Sequence, residues 1–191
     1  SEPAPQSKPC TDLADYAWAE EYIDALYKAA VISPAADQRF RPGDSITREE
    51  FVKLVVGALQ MQNSGAACSF SDVGESDWYY PYVASACAAG IIRGYEDNSF
   101  GTGRKITRQE IAAILYRAAQ VCGIEMKAAG DGNGFSDGAD IDAYAKDAVA
   151  ALQAAGIING DENGAFRPHD NAVRAEAAKM IAVMAKNVKQ S

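Results

Sequence analysis

Three arginines stand at the start of three amphipathic stretches: Arg48 in ITREE, Arg108 in ITRQE and Arg174 in AVRAE. A cation in a first helical turn opposes the macrodipole, at a cost of about 0.3 to 1 kcal/mol, so keeping it three times calls for an offsetting contact. A guanidinium beside first-turn amides offers bidentate hydrogen bonds to a carboxylate or phosphate, with the partial positive charge of the helix end behind it. The same side chains can instead pair internally with Asp12, Asp72 or Asp137, which stand in acidic loops upstream of the three stretches. Trp18, Trp78 and Tyr144 follow those acids. Each can anchor packing, or offer a face on which the C–H side of a pyranose ring stacks. Gly94 and Gly160 allow positive φ or close backbone approach, although simple turn geometry also accounts for them. Copy one carries Pro34 there, so its turn differs and a site that relies on glycine is altered or missing.

The elements that must position these residues form a triplicate. Asp12, Trp18, Ile23, Ile32, Phe40 and Arg48 recur 60 residues on as Asp72, Trp78, Val83, Ile92, Phe100 and Arg108. They recur again as Asp137, Tyr144, Val149, Ile158, Phe166 and Arg174, with one extra residue in the loop before Tyr144. The repeats cover approximately 11–62, 68–122 and 133–189, within a single domain from 10 to 191 that follows a linker over 1–9. Each copy reads as an acidic loop, a helix, a glycine-marked turn, a second loop carrying Phe, and a longer helix. The first helices are expected over 19–30, 79–89 and 145–155, with Gly90 and Gly156 as C-terminal caps and Ala30 in that place in copy one. The second helices keep one apolar face at i, i+3, i+4, i+7 spacing: Phe51, Leu54, Val55, Ala58; Ile111, Ile114, Leu115, Ala118; Ala177, Met180, Ile181, Met184. No unit buries such a face alone, which predicts an all-α fold with three helices packed about a pseudo-threefold axis. Thr47 with Glu50 and Thr107 with Glu110 read as capping boxes; in copy three Val173 cannot cap, and Asp170 or Asn171 is expected to serve a turn earlier.

Composition narrows the function classes. A net charge of -8 gives the wrong long-range field for nucleic acid. No run of about 18 apolar residues is present to span a membrane. The polar, proline-rich opening SEPAPQSKP is what a mature N-terminus or linker after a removed signal would look like. Cys10, Cys68, Cys87 and Cys122 suit either disulfides in an exported protein or buried thiols. With no C-x-x-C pair and His169 as the one histidine, neither a zinc site nor another metal or cofactor site is expected. The stretch DGNGFSD at 131–137 begins like a calcium loop, but Phe135 and Ser136 fall where a ligand and a glycine are needed. No carboxylate pair, nucleophile elbow or Cys/His arrangement points to catalysis, so a non-enzymatic chain is expected.

The segment FSDVGESDWYYPYVASACAAGIIRGYEDNSF followed by ITRQE resembles an S-layer homology motif, and ITREE in copy one matches its hallmark. The resemblance covers about 11–189 and is weakest in copy three, where AVRAE replaces the hallmark. It implies a three-helix spindle with three prongs, whose grooves hold a secondary cell-wall polysaccharide, often with pyruvylated N-acetylmannosamine. Carried over by position, Arg48, Arg108 and Arg174 face the acidic sugar, while Trp18, Trp78, Gly94, Gly160, Asp12 and Asp72 shape the grooves. Ala30 and Pro34 in copy one, with Ala172 and Val173 in copy three, depart from the pattern. The resemblance further implies a secreted chain at the bacterial surface, part of a larger protein. Second readings are peptidoglycan itself, with a polyamine modification that would suit the acidic charge, and docking to protein with the grooves unused.

Overall fold

The computed structural model describes residues 10–33, 35–126 and 134–188. Its architecture is all-α, with six helices and no strand among the described residues: α1 (Glu20–Lys28), α2 (Arg48–Ala58), α3 (Tyr80–Ala88), α4 (Arg108–Val121), α5 (Lys146–Ala154) and α6 (Arg174–Val188). Short 3-10 turns lie at Ala14–Ala19 and Gly138–Asp140. The first helices of the copies end at left-handed residues, Gly90 (φ 74°) and Gly156 (φ 70°), and Ala30 adopts the same conformation (φ 56°) without the freedom of glycine.

The helices interleave. α1 packs on α6, α3 on α2, and α5 on α4, so each outer helix lies against the long helix of the preceding copy in cyclic order. The long helices α2, α4 and α6 meet one another at the centre. Their buried faces are wider than one stripe: Val52 and Val56, Ala112 and Ala119, and Ala178 and Ala182 are buried beside the expected residues, while Ala58 is half-buried. Each long helix meets both other long helices and one outer helix, which is why its apolar arc broadens.

The pseudo-threefold axis is visible in the backbone. Ile46 N–H donates to the Ala172 carbonyl (3.1 Å), Ala172 N–H to Ile106 (3.0 Å) and Ile106 N–H to Ile46 (3.2 Å), a closed ring of three fully buried residues. Three isolated antiparallel bridges surround it. These segments sit just before the long helices and supply their first-turn amides with acceptors. Arg48 N–H donates to Arg104 O, Arg108 N–H to Asp170 O, and Arg174 N–H to Asp44 O. Thr47 and Thr107 complete both halves of the expected capping boxes. In copy three neither the Asp170 nor the Asn171 side chain caps; Val173 N–H donates to Glu176 (3.2 Å), and carbonyls of residues 42 and 44 accept the next amides. An interleaved partner can cap a helix through its backbone, so the local cap is dispensable there.

Candidate functional site

The acids heading each copy bind backbone, not arginine. Asp12 accepts from the N–H groups of Phe40 (2.9 Å) and Arg41 (2.8 Å); Asp72 accepts from Phe100 (2.6 Å), Gly101 (2.8 Å) and Thr102 (2.8 Å); Asp137 accepts from Phe166 (2.8 Å) and Arg167 (2.7 Å). Partial burial raises each carboxyl pKa, but the amide donors outweigh it and hold all three below the ordinary aspartate value. The alternative reading, in which Arg48, Arg108 and Arg174 pair with these acids, does not hold, since the arginines take glutamate partners. Each Asp instead ties the second loop of its copy to the first, and their carboxylates are consumed in doing so.

The arginines pair across copies. Arg48 Nη1 donates to Glu110 (3.4 Å), Arg108 to Glu176, and Arg174 Nη1 to Glu50 (3.3 Å), closing a second cyclic ring outside the backbone one. Each acceptor is the glutamate in the first turn of the next copy's long helix, which takes the amide before that helix and the neighbour's guanidinium together. Each guanidinium also lies over the loop Phe of that copy: Arg48 over Phe100 (5.2 Å), Arg108 over Phe166 (5.2 Å), Arg174 over Phe40 (4.9 Å). The amides of Arg48, Arg108 and Arg174 already have carbonyl acceptors and those of Glu50 and Glu110 have threonine hydroxyls, so most first-turn donors are committed within the fold. Cationic character at these interfaces comes from side chains.

The three interfaces carry the candidate site, and each draws on all three copies. One cleft of about 220 Å3 gathers Arg108 from copy two, Gly160, Asp161 and Glu176 from copy three, and Trp18 from copy one. Lys179 holds its ammonium 5.9 Å from the Trp18 ring. A second cleft, about 270 Å3, gathers Arg48 from copy one, Gly94, Tyr95 and Glu110 from copy two, and Tyr144 from copy three. At the third interface Arg174 meets Glu50, and Lys53 lies 5.6 Å from the Trp78 ring; Pro34, expected to alter that turn, lies outside the described residues. Ala172 belongs to the axial ring, and AVRAE still delivers Arg174 and Glu176 to their interfaces.

Trp18, Trp78 and Tyr144 are 47%, 56% and 53% exposed, which fits a platform and not a core anchor. Burial, then Glu110 and Asp142, push the Tyr144 hydroxyl up to about 12, so it stays a donor. Gly94 and Gly160 have ordinary φ and are needed for close approach: a Cβ on Gly94 would stand 2.7 Å from the Phe70 ring and 2.9 Å from the Ser99 carbonyl, and one on Gly160 would stand 3.0 Å from the Gly164 backbone. The sequence reading missed Glu50, Glu110 and Glu176 as guanidinium partners. It also missed Lys53 and Lys179, although their recurrence at one repeat position, with Ala113 between them, was a usable signal.

The remaining candidates carry no site. The four cysteines are free thiols, and Cys10 Sγ lies 3.1 Å from the Tyr27 hydroxyl. Residues 131–133 of the calcium-like stretch lie outside the described residues; Phe135 stacks on Phe166 (5.2 Å), and Asp137 is spent on backbone. His169 bridges Gln109 (3.2 Å) and the Asp140 carbonyl (3.0 Å) as a loop residue. Among the described residues no His, Cys, Asp and Glu cluster could hold a metal, and no helix is long and apolar enough to cross a membrane.

Three helical repeats interleaved on one axis, with a cationic and aromatic cleft where they meet, define a class of repeat domain. The chain belongs to the S-layer homology domain family, whose model matches residues 11–52, 69–112 and 134–178. It is 33% identical over 174 residues to an amylopullulanase of Thermoanaerobacterium thermosulfurigenes, covering 91% of this chain and 9% of that protein. It is 31% identical over 156 residues to the surface-layer 125 kDa protein of Lysinibacillus sphaericus, 81% of this chain and 13% of the relative. A cellulosome-anchoring protein of Acetivibrio thermocellus is 26% identical over 154 residues, 74% of this chain and 32% of the relative. The chain thus spans a small part of each relative's length.

Proposed function

We propose that this chain is a non-catalytic anchoring module that holds a secreted bacterial surface protein to the cell wall. Its ligand is a secondary cell-wall polysaccharide bearing an acidic sugar, of the pyruvylated N-acetylmannosamine type. The observation that carries this reading is the joining, in one cleft, of an interface guanidinium with an exposed aromatic face from a third copy. An acidic pyranose needs both: a fork for its carboxylate and a flat apolar surface for its ring. The cationic clefts answer the objection raised by the acidic net charge, since a local surplus suffices over a few ångströms under physiological screening. Support also comes from the relatives: an amylopullulanase, a surface-layer protein and a cellulosome-anchoring protein share this stretch and little else by name, as a common anchor would be shared. Several weak clefts on one rigid frame would hold a polymer through avidity.

Co-sedimentation with purified sacculi tests this, before and after hydrofluoric acid removes the phosphodiester-linked polymer. Wild type is expected to pellet with untreated sacculi and to stay in solution with stripped ones, and Arg108→Ala with Trp18→Ala is expected to weaken pelleting. Undiminished binding to stripped sacculi would transfer the ligand to peptidoglycan, and no binding to either would leave protein docking as the role.

A further inference from the structure

The clefts are not chemically equal. In the Arg108 cleft the guanidiniums are each matched by a carboxylate, Arg108 by Glu176 and Arg167 by Asp161 (3.3 Å), which leaves Lys179 as a surplus of one positive charge. In the Arg48 cleft three guanidiniums, Arg48, Arg93 and Arg117, face one lining carboxylate, Glu110, a surplus of two. The extra pair is peculiar to this interface: the positions equivalent to Arg93 are Ser33 and Asn159, and those equivalent to Arg117 are Gly57 and Val183. Ala113, where the other copies have lysine, leaves the Tyr144 face without the ammonium that lies over Trp18 and Trp78.

Arg48 is also held differently from its counterparts. Arg108 and Arg174 direct Nε to the carbonyls of Phe166 (2.7 Å) and Phe40 (2.9 Å), whereas Arg48 directs Nη2 to the Arg93 carbonyl (3.0 Å). Its Nε is buried with no hydrogen-bond partner, and the residue is 6% exposed. Glu110, its partner, is already shared with Tyr95 Oη (2.7 Å) and Thr107 N–H (2.8 Å). Burial, and then the like charges of Arg93 and Arg48, depress the Arg117 pKa, so the group gathers cations at an electrostatic cost within the fold. A bound dianion removes that cost.

We infer that the Arg48 cleft takes a doubly charged anion, a phosphate monoester carried on a sugar, with Arg117 and Arg93 setting the preference. The inference rests on the reading of these clefts as acidic-sugar sites and assigns one of them a different acid. A phosphomonoester has a second pKa of about 6, hence carries close to two charges at neutral pH, and its three terminal oxygens accept from several forks at once. A ketal-linked carboxylate brings one charge and two oxygens, which suits the Arg108 cleft.

The test is a titration of the 15N-labelled full chain at pH 7.5 with N-acetylmannosamine 6-phosphate, the 4,6-pyruvyl ketal of N-acetylmannosamine, and inorganic phosphate. Amide shifts of Gly94 and Ala113 report the Arg48 cleft, and those of Gly160 and Lys179 the Arg108 cleft. The sugar phosphate is expected to move the Gly94 set with a Kd about tenfold below that of the ketal, and Arg117→Gln to close most of that gap by weakening the sugar phosphate several-fold more than the ketal. Arg93→Gln, at an exposed loop position, is expected to narrow the gap with no effect on the fold. Equal affinities in the Gly94 set, or equal weakening of both ligands by Arg117→Gln and Arg93→Gln, would overturn the inference. So would inorganic phosphate binding as tightly as the sugar phosphate, which would mark a free-anion site. Ketal binding at the Gly160 set with no sugar-phosphate response in the Gly94 set sinks this inference alone; silence of both sets toward both sugars sinks the acidic-sugar reading as well.

Discussion

The axis and the clefts of this molecule treat threefold symmetry in opposite ways. At the axis, Ile46, Ile106 and Ala172 repeat one backbone hydrogen bond with lengths of 3.0 to 3.2 Å, and side-chain identity is almost irrelevant to it. At the interfaces, the ring of Arg–Glu pairs repeats in connectivity but not in setting: side-chain exposure of arginine and glutamate runs from 7% and 17% at Arg48–Glu110, through 11% and 29% at Arg108–Glu176, to 25% and 38% at Arg174–Glu50. The fold needs all three axial bonds at once, because each closes the ring for the others. A cleft needs only its own lining, so copies can diverge there at the cost of one site and not of the domain.

The largest effect expected from this contrast is at the axis. Ile106 is fully buried, and Ile106→Ala should cost about 3 kcal/mol through lost burial and a residual cavity. Because copy three already carries Ala172 there, the cost measures how far the frame has adapted to one small residue. Urea denaturation reads it, and a loss under about 1 kcal/mol would mean that the axial layer tolerates small residues generally and does not set the frame.

The interfaces come next. Glu110→Gln strands a guanidinium that is almost fully enclosed, with an expected cost of about 2 kcal/mol, while Glu50→Gln acts on a more open pair and should cost less than about 1 kcal/mol. Equal costs in the two variants would show that the gradient of exposure has no energetic counterpart.

The Asp-tied loops give a smaller effect, read through pH. The folded pKa values of Asp12, Asp72 and Asp137 lie below the unfolded value near 3.9, so their contribution is complete above that pH and is lost as pH falls through the folded values. Thermal melts from pH 6 to pH 2 should show Tm dropping only in the lower half of that range. Asp72→Asn keeps one acceptor for three amides and should cost about 1 to 1.5 kcal/mol at pH 7 while flattening the acid limb. An unchanged acid limb would remove Asp72 from the group of titrating ties.

Much of the frame was legible in the residues because it is local. Helix faces, capping boxes and glycine ends depend on neighbours within four positions, and the triplicate multiplied each signal by three. The arginine partners were not legible: Glu110, Glu176 and Glu50 lie 62, 68 and 124 residues away, and the capping boxes already accounted for Glu110 and Glu50. Asp72 looked like the natural partner because it heads the same motif, yet amides 28 to 30 residues on claim it first. Trp18 and Arg108 sit 90 positions apart in sequence, and only the cyclic interleaving of copies brings them to one cleft. Arg93 and Arg117 occur once each, so repetition, the strongest signal in this chain, could not point to them.

The smallest expected effect isolates symmetry breaking with no side-chain partner at all. The turn after each first helix needs a left-handed residue, which Gly90 and Gly156 supply freely and Ala30 supplies at φ 56°. A Cβ in that conformation costs about 1 to 2 kcal/mol, and glycine gives part of this back through a more flexible unfolded chain. Ala30→Gly should therefore raise stability by about 0.5 to 1 kcal/mol. A Cβ on Gly90 would meet nothing within 4 Å, so Gly90→Ala carries no steric term and should lower stability by a similar amount. Paired denaturation curves read both, and mirror-image changes would show that the copies share one backbone demand here. If Ala30→Gly is neutral while Gly90→Ala is costly, the first turn has relaxed around its alanine, and copy one has diverged in its frame as well as in its cleft.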